Sequence, residues 1–297
     1  MSTDRLAEGI TVGQLLEELA RRFNAHGIAE PFTEAREIVA GLYDVPRFWP
    51  LMNGGTEVDA AMLARASRAA QKRLRGAPLA YAIGRAAFRH LTLDVDERVL
   101  IPRPETEQLV DLVLEAVGDT PGGVAIDVGT GSGAIALSLA AEARFSRVYG
   151  TDISIDALEV ARRNRDALAA SLRAPVELLH GSVLAPLLDV RARAVVSNPP
   201  YIAMGEAATL PPSVRDWEPA VALFSGADGL AATARVVREA ADVLEPGGVL
   251  AVEVDVRRAS LVAELVAREQ RLHAVRVELD LTGRERYVLA RRQERGG

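Results

Sequence analysis

The sequence predicts an α/β protein: a seven-stranded, mostly parallel sheet flanked by helices, preceded by a small helical bundle and a β-hairpin connector. Three observations predict it. From Val124 onward, short β-branched apolar runs alternate with helical patterns, as expected of parallel strands buried on both faces. The last two runs are joined only by Asp280-Leu-Thr-Gly-Arg284, too short for a crossover helix, so they must pair antiparallel. Before about residue 80, apolar residues recur at helical spacing without a strand pattern.

Thr11-Val-Gly-Gln14 fits a capping box, and Val12, Leu15, Leu16, Leu19 and Phe23 follow on one helical face until Gly27. A second helix is expected from Thr33 toward Tyr43, and a third, rich in alanine and arginine, over residues 58–74. Segments 88–93 and 97–101 flank Asp94-Val-Asp96 as a hairpin, which Pro102 and Pro104 end. Helical spacing resumes at Glu105 with Leu109, Val110, Leu112 and Val113. Strands are then expected at 124–127, 147–152, 176–180, 194–198, 248–254, 275–279 and 286–290. The chain thus divides into a helical domain (1–82), a hairpin connector (83–104) and an α/β domain (105–297).

Composition narrows the classes. A net charge of -6 argues against broad nucleic-acid binding, which needs many phosphate-neutralising cations. With no cysteine and four scattered histidines, neither a disulfide framework nor a metal site is expected. Met1 to Ile10 carries no apolar run, and no segment approaches the roughly 20 apolar residues of a membrane span, so a cytoplasmic setting is expected.

Two motifs carry chemistry. Asp127-Val-Gly-Thr-Gly-Ser-Gly133 closes a strand and opens a helix, at the carboxyl end where open α/β sheets bind ligands. Glycines there allow positive φ and close approach of a ligand, although a turn used only for packing is the competing reading. The spacing departs from the dinucleotide fingerprint G-x-G-x-x-G. Asp152 ends the next strand, 19 residues after Gly133, where a carboxylate can accept both ribose hydroxyls. These residues point to a nucleoside cofactor without choosing between S-adenosylmethionine and a dinucleotide.

Asn198-Pro-Pro-Tyr201 makes that choice. Its prolines fix φ and hold Asn198 extended. The Asn198 carboxamide oxygen and the Pro199 carbonyl can then both accept from one –NH₂ group, with Tyr201 as a flat wall. Such a corner aims a planar nitrogen at a methyl sulfonium, and positioning carries most of the acceleration. Methyl transfer from S-adenosylmethionine to an amide or amino nitrogen is the expected reaction. Adenine N6, guanine N2 and glutamine N5 all fit the motif.

Further blocks discriminate among them. Gly76-Ala-Pro-Leu-Ala-Tyr81, Val99-Leu-Ile-Pro-Arg-Pro-Glu-Thr-Glu107, Val196-Ser-Asn-Pro-Pro-Tyr-Ile202, Val214-Arg-Asp-Trp-Glu-Pro219 and Gly226-Ala-Asp-Gly229 resemble the HemK-type release-factor glutamine methyltransferases. The resemblance covers about residues 10 to 292. It implies a class I methyltransferase fold, with the helical domain recognising the substrate. It implies that Asp127, Gly129, Thr130, Gly131, Ser132, Gly133, Asp152, Ile153, Ser182, Val183 and Asn198 surround S-adenosylmethionine. By the same resemblance, Asn198, Pro199, Pro200 and Tyr201 hold the acceptor, with Asn198, Pro199 and Tyr201 as the catalytic group. Arg103 and Glu105 would line the site mouth, although Glu105 also fits a carboxylate favoured at a helix N-terminus. The implied partners are peptide-chain release factors, methylated on the glutamine of Gly-Gly-Gln.

Two positions depart from the family pattern. Ser182 and Val183 stand where an acidic and then an aromatic residue usually frame the adenine, which implies weaker contacts. Glu253-Val-Asp255 replaces Glu-x-Gly, which implies a differently shaped loop. The alternatives are a divergent N-methyltransferase acting on another protein, a small molecule or a base, and a non-catalytic cofactor-binding scaffold.

Overall fold

The computed structural model describes residues 9–294, which fall into two compact units. One runs to Arg85 and includes Pro211–Trp217; the other comprises Ala86–Leu210 and the chain from Glu218. The reading of Met1 to Ile10 lies, through residue 8, outside the described residues.

The first unit is helical. Helix α1 (Val12–Ala25) starts on the expected capping box: Thr11 Oγ1 accepts from the Gln14 N–H at 3.4 Å, and Gln14 Oε1 accepts from the Thr11 N–H at 2.9 Å. Helix α2 (Pro31–Tyr43) starts two residues before Thr33, because proline suits the first helical position, where no N–H is needed. Two one-turn helices, α3 (Trp49–Met52) and α5 (Leu79–Ile83), are too short for periodicity to mark. Helix α4 (Ala60–Leu74) starts at Ala60 rather than at residue 58, since Asp59 is its N-cap and accepts from the Met62 N–H at 2.7 Å. Leu15, Leu19, Phe23, Ile38, Val39 and Ala66 form the core of this unit.

The hairpin differs from expectation. Strands β1 (Arg85–Phe88) and β2 (Leu91–Asp94) turn at Arg89-His90, and residues 97–101 form no strand. Arg89 takes φ +53°, a conformation uncommon outside glycine. Its guanidinium is held by Glu142 and Asp111, each at 2.7 Å. The two aspartates that look like turn formers have other partners. The Asp94 N–H donates to Asn164 Oδ1 at 2.7 Å, and the Asp96 carboxylate accepts from Arg98 at 2.7 Å and from Arg163 at 3.0 Å.

Helix α6 (Pro104–Val117) then leads into the main sheet: β3 (Val124–Val128), β4 (Arg147–Asp152), β5 (Val176–His180), β6 (Ala192–Ser197), β7 (Leu244–Glu253), β8 (Leu272–Leu279) and β9 (Glu285–Arg292). Its order is β5-β4-β3-β6-β7-β9-β8, parallel except where β9 runs antiparallel to β7 and β8. Strand β6 stops before Asn198, whose following proline cannot extend the ladder. Strand β7 starts at Leu244 rather than at residue 248, and its register with β6 shifts between Ala192 and Ala194.

Side chains alternate between two cores. Ala125, Val196 and Ala251 face one, with Leu109 and Val113 of α6, Leu137 of α7 (Ala134–Glu142) and Leu158 of α8 (Ile155–Ala167). Ile126, Val195 and Leu250 face the other, with Val236, Val237 and Val262. Burying each large apolar side chain contributes roughly 1.5–3 kcal/mol. Strand order reverses at the β3–β6 seam, the switch point where such sheets bind ligands. Ser197 Oγ donates across that seam to the Val128 carbonyl at 2.8 Å.

Candidate active site

A cleft of about 380 Å³ opens at the carboxyl ends of β3, β4 and β6, within the roughly 300–1,000 Å³ typical of small-molecule sites. Of the residues expected there, Gly129, Gly131, Asp152, Ile153, Ser182, Val183, Asn198, Pro199 and Pro200 line it.

The glycine loop divides by role. Gly129 and Gly131 take φ +75° and +55°, and a Cβ on either would stand in open space. Gly133, at φ +88°, would bring a Cβ to 3.1 Å from Leu137 Cδ1, so a side chain there would be strained by its backbone and would press on Leu137. Asp127, Thr130 and Ser132 are buried behind the loop. Asp127 Oδ2 accepts from the Thr130 hydroxyl at 2.6 Å and from the Ala136 N–H at 3.1 Å. Burial pushes the Asp127 carboxyl up to about 7. The Ser132 carbonyl accepts from Asn164 Nδ2 at 2.8 Å.

The loop's N–H groups decide which cofactor fits. Those of Gly129 and Thr130 both donate to the Thr151 carbonyl at 2.9 Å, that of Gly131 to Asp152 Oδ2 at 2.9 Å, and that of Gly133 to the Thr130 carbonyl at 2.8 Å. A phosphate-binding loop presents its N–H groups to the ligand. Here these four are used within the protein, so a pyrophosphate would find few donors in the loop. A nucleoside without phosphates fits.

Asp152, at the end of β4, accepts from the Gly131 and Ser154 N–H groups, both at 2.9 Å. Burial raises its pKa, against the pull of those N–H groups. A carboxylate has about four lone-pair sites, so acceptor capacity remains for a ribose diol. Beside it, Ile153 is 56% exposed, an apolar surface for a base.

The two departures from the family pattern are accommodated differently. Ser182 Oγ accepts from Arg235 Nη1 at 2.7 Å, and Arg235 itself lines the cleft. Val183 takes φ +55°, rare for a β-branched residue, and its carbonyl accepts from Thr151 Oγ1 at 2.8 Å. At the other departure, the Asp255 carboxylate accepts from the Arg257 N–H at 2.8 Å and its carbonyl accepts from the Arg258 N–H at 2.8 Å. This Asx turn keeps φ negative and needs no glycine.

At the acceptor corner, Asn198 Nδ2 donates to Thr106 Oγ1 at 3.0 Å, and Thr106 Oγ1 donates to Glu253 Oε2 at 2.6 Å. Sequence reasoning assigns no site role to Thr106, Glu253 or Arg235. Thr106 shares the apolar face of Leu109, Val110 and Val113, and Glu253 interrupts an apolar strand, which are the signals that mark a buried polar pair. Tyr201 lies outside the cleft lining, and burial pushes its phenol up to about 12. Arg103 also lies off the lining: its Nη2 pairs with buried Glu218 at 2.6 and 2.8 Å. Glu105 is exposed in the first turn of α6, where a carboxylate is favoured. Among the described residues no group of three or more His, Asp or Glu is placed to hold a metal, and no helix is long and apolar enough to cross a membrane.

Comparison with known proteins identifies the family and the fold. Residues 105–210 match the Methyltransferase small domain family, and residues 14–84 match the PrmC N-terminal domain family. A release factor glutamine methyltransferase of Moorella thermoacetica is 40% identical over 285 residues, covering 96% of this chain and 100% of that protein. One from Deinococcus radiodurans is 39% identical over 279 residues, covering 94% and 97%. A methyltransferase structure from Pyrococcus furiosus shares the fold at TM-score 0.52 and 20% identity, over 70% of this chain and 92% of that one. With its two motifs at one cleft and such relatives along nearly its whole length, the chain belongs to the release factor glutamine methyltransferase family.

Proposed function

We propose that this chain transfers a methyl group from S-adenosylmethionine to the side-chain nitrogen (N5) of the glutamine in the Gly-Gly-Gln motif of peptide-chain release factors. One observation carries the reading: a nucleoside site whose glycine-loop N–H groups are largely taken up within the protein and the Asn198-Pro199 corner share one cleft at the β3–β6 seam.

Asp152 holds the ribose hydroxyls, Ile153 and Val183 flank the adenine, and the bare faces of Gly129 and Gly131 admit the rest of the donor. When bound, S-adenosylmethionine supplies an electrophilic methyl group on a sulfonium. Asn198 Oδ1 and the Pro199 carbonyl accept from the two N–H bonds of the glutamine amide and fix its nitrogen in line. An amide lone pair is delocalised, so acceleration comes from holding the nitrogen in a reactive geometry. Tyr201 stays a neutral phenol at physiological pH and is not the base. As the nitrogen–carbon bond forms, the methyl carbon–sulfur bond would break and the donor would leave as a neutral thioether, and the cationic nitrogen then gives its extra proton to solvent. Arg103 acts indirectly in this reading, by holding Glu218 at the root of the cleft wall formed by Pro219, Val221, Ala222 and Phe224.

The helical domain, residues 1–82, takes the protein partner. It exposes Phe48 and Met52 at 53% and 75%, with the guanidinium groups of Arg36 and Arg47 over the Phe48 ring at 5.2 and 5.0 Å. A cytoplasmic setting belongs to the same reading.

The test is mass spectrometry of folded release factors incubated with the chain and labelled donor. One methyl group on the Gly-Gly-Gln glutamine is expected, lost when that glutamine is replaced by asparagine. Label on an adenine or a free small molecule, with release factors untouched, would overturn the acceptor and leave the donor standing.

A further inference from the structure

A carboxamide is nearly symmetric in shape, so an asparagine at the acceptor corner can present either oxygen or –NH₂ to the cleft. Only the oxygen is useful to an incoming –NH₂ group. Something next to Asn198 must set which end faces out.

We infer that Thr106 and Glu253 are positioning residues that fix the polarity of the Asn198 carboxamide, turning its Nδ2 inward and leaving Oδ1 for the acceptor. The inference rests on the reading of Asn198 as the amide-holding group. A threonine hydroxyl has one proton to donate, and an ionised carboxylate can only accept. The Thr106 proton is committed to Glu253 Oε2 at 2.6 Å, so Thr106 Oγ1 can serve Asn198 only as an acceptor. Asn198 Nδ2 meets it at 3.0 Å. In the flipped carboxamide, Oδ1 would face the lone pairs of Thr106 Oγ1 with no proton between them. Thr106 and Glu253 are 5% and 2% exposed, so water is poorly placed to supply one.

The placement in the fold is specific. Glu253 ends β7 between Val252 and Val254, and Thr106 sits on the buried face of α6. Arg286 and Arg103 favour ionised Glu253 while Glu105 opposes it; Tyr201 and Tyr287 are the other titratable groups coupled to it. Burial pushes the Glu253 carboxyl up to about 7. Once protonated, Glu253 can itself donate to Thr106, and the chain of donors loses its single direction. Methyl transfer should therefore weaken as pH falls through neutrality.

The experiment compares Thr106→Val, Thr106→Ser and Glu253→Gln. Its first readout needs no acceptor: the side-chain ¹⁵N–H₂ pair of Asn198 in the free protein, assigned by its loss in Asn198→Asp. In Thr106→Val this pair should move toward the solvent-exposed position. Turnover of a release factor should fall about tenfold to a hundredfold, with KM and donor affinity within about twofold. Thr106→Ser should keep turnover within about threefold. Glu253→Gln should flatten the loss of turnover seen in the wild type as pH falls from about 8 to 6. Unmoved Asn198 signals or full turnover in Thr106→Val would overturn the inference. Should that variant not fold, an unchanged pH profile in Glu253→Gln overturns it instead. If the wild type methylates no release factor yet the Asn198 signals depend on Thr106, the acceptor reading fails and the relay stands.

Discussion

Replacing Asp152 by asparagine probes the donor site most directly, and the geometry sets the size of the effect. The carboxylate already accepts from the Gly131 and Ser154 N–H groups at 2.9 Å each, and its remaining lone pairs serve the ribose. Asparagine keeps one oxygen and turns the other into a donor. One loop N–H then faces an –NH₂ group, and one ribose hydroxyl loses its acceptor. A hydrogen bond to a charged group is worth about 1.5–3 kcal/mol. Burial already opposes charge at Asp152, which offsets part of the loss. At about 1.4 kcal/mol per tenfold, affinity for S-adenosylmethionine should fall roughly tenfold to a hundredfold. The strained loop should lower Tm by about 2–4 °C. Calorimetric titration and a melting curve on the same preparation read both. A folded variant with unchanged affinity refutes a ribose role and leaves Asp152 as a brace for the loop alone.

Three further outcomes are expected. Asn198→Ala should lower turnover at least about a hundredfold while donor affinity stays within about threefold, because the lost contact acts mainly in the transition state; an equal loss in both refutes that role. Arg103→Ala leaves Glu218, whose side chain is 1% exposed, without its partner. Since Arg103 is itself about a third exposed, the cost should be about 2–3 kcal/mol by urea unfolding, larger at pH 8 than at pH 5; a neutral variant would show that the pair contributes nothing. Burial holds the Asp127 and Glu253 carboxyls up at about 7 rather than at 3.8 and 4.5. A carboxyl raised on folding contributes stability that is full below the unfolded pKa, about pH 4, and is lost as pH rises through about 7. For Glu253 the rise corresponds to on the order of 3 kcal/mol, so the stability gap between wild type and Glu253→Gln should shift by that order between pH 5 and pH 8, against the wild type at the higher pH. A gap that stays constant, or shifts the other way, refutes the buried-charge account.

The sheet was legible in the sequence where a strand pattern stands between clear helical patterns. Residues 147–152 and 176–180 carry β-branched and apolar residues between clear helical stretches, and both strands occur at those bounds. The connector was not legible, because its turn is made by long-range partners. Nothing in Arg89-His90 favours a left-handed residue until Glu142 and Asp111 grip the arginine from elsewhere in the chain. The grouping of Pro211–Trp217 with the first unit is likewise invisible locally, since it depends on segments well over a hundred residues apart. At the cleft, residue type and spacing place Asp152, the last residue of β4, and Asn198, the first residue past β6. They misplace Arg103, whose charge looks available for a ligand until Glu218, far along the chain, is seen to neutralise it. Thr106 failed for the opposite reason: threonine on a helix face attracts no notice until two hydrogen bonds give it a direction.

The β3–β6 seam separates two tasks within one sheet. On one side, β3, β4 and β5 end beside the residues of the proposed donor site; on the other, β6 ends at Asn198, the proposed acceptor-holding residue, and β7 ends in Glu253, which backs it through Thr106. Ladder hydrogen bonds, the Ser197–Val128 contact and the two apolar cores join the halves. A sheet divided this way behaves as an interchangeable tool: the half that grips the methyl source can be kept while the half that presents the recipient is redrawn. The seam itself then sets the distance the methyl group must cross, so a slip of one residue in its register would silence the enzyme even with both halves intact.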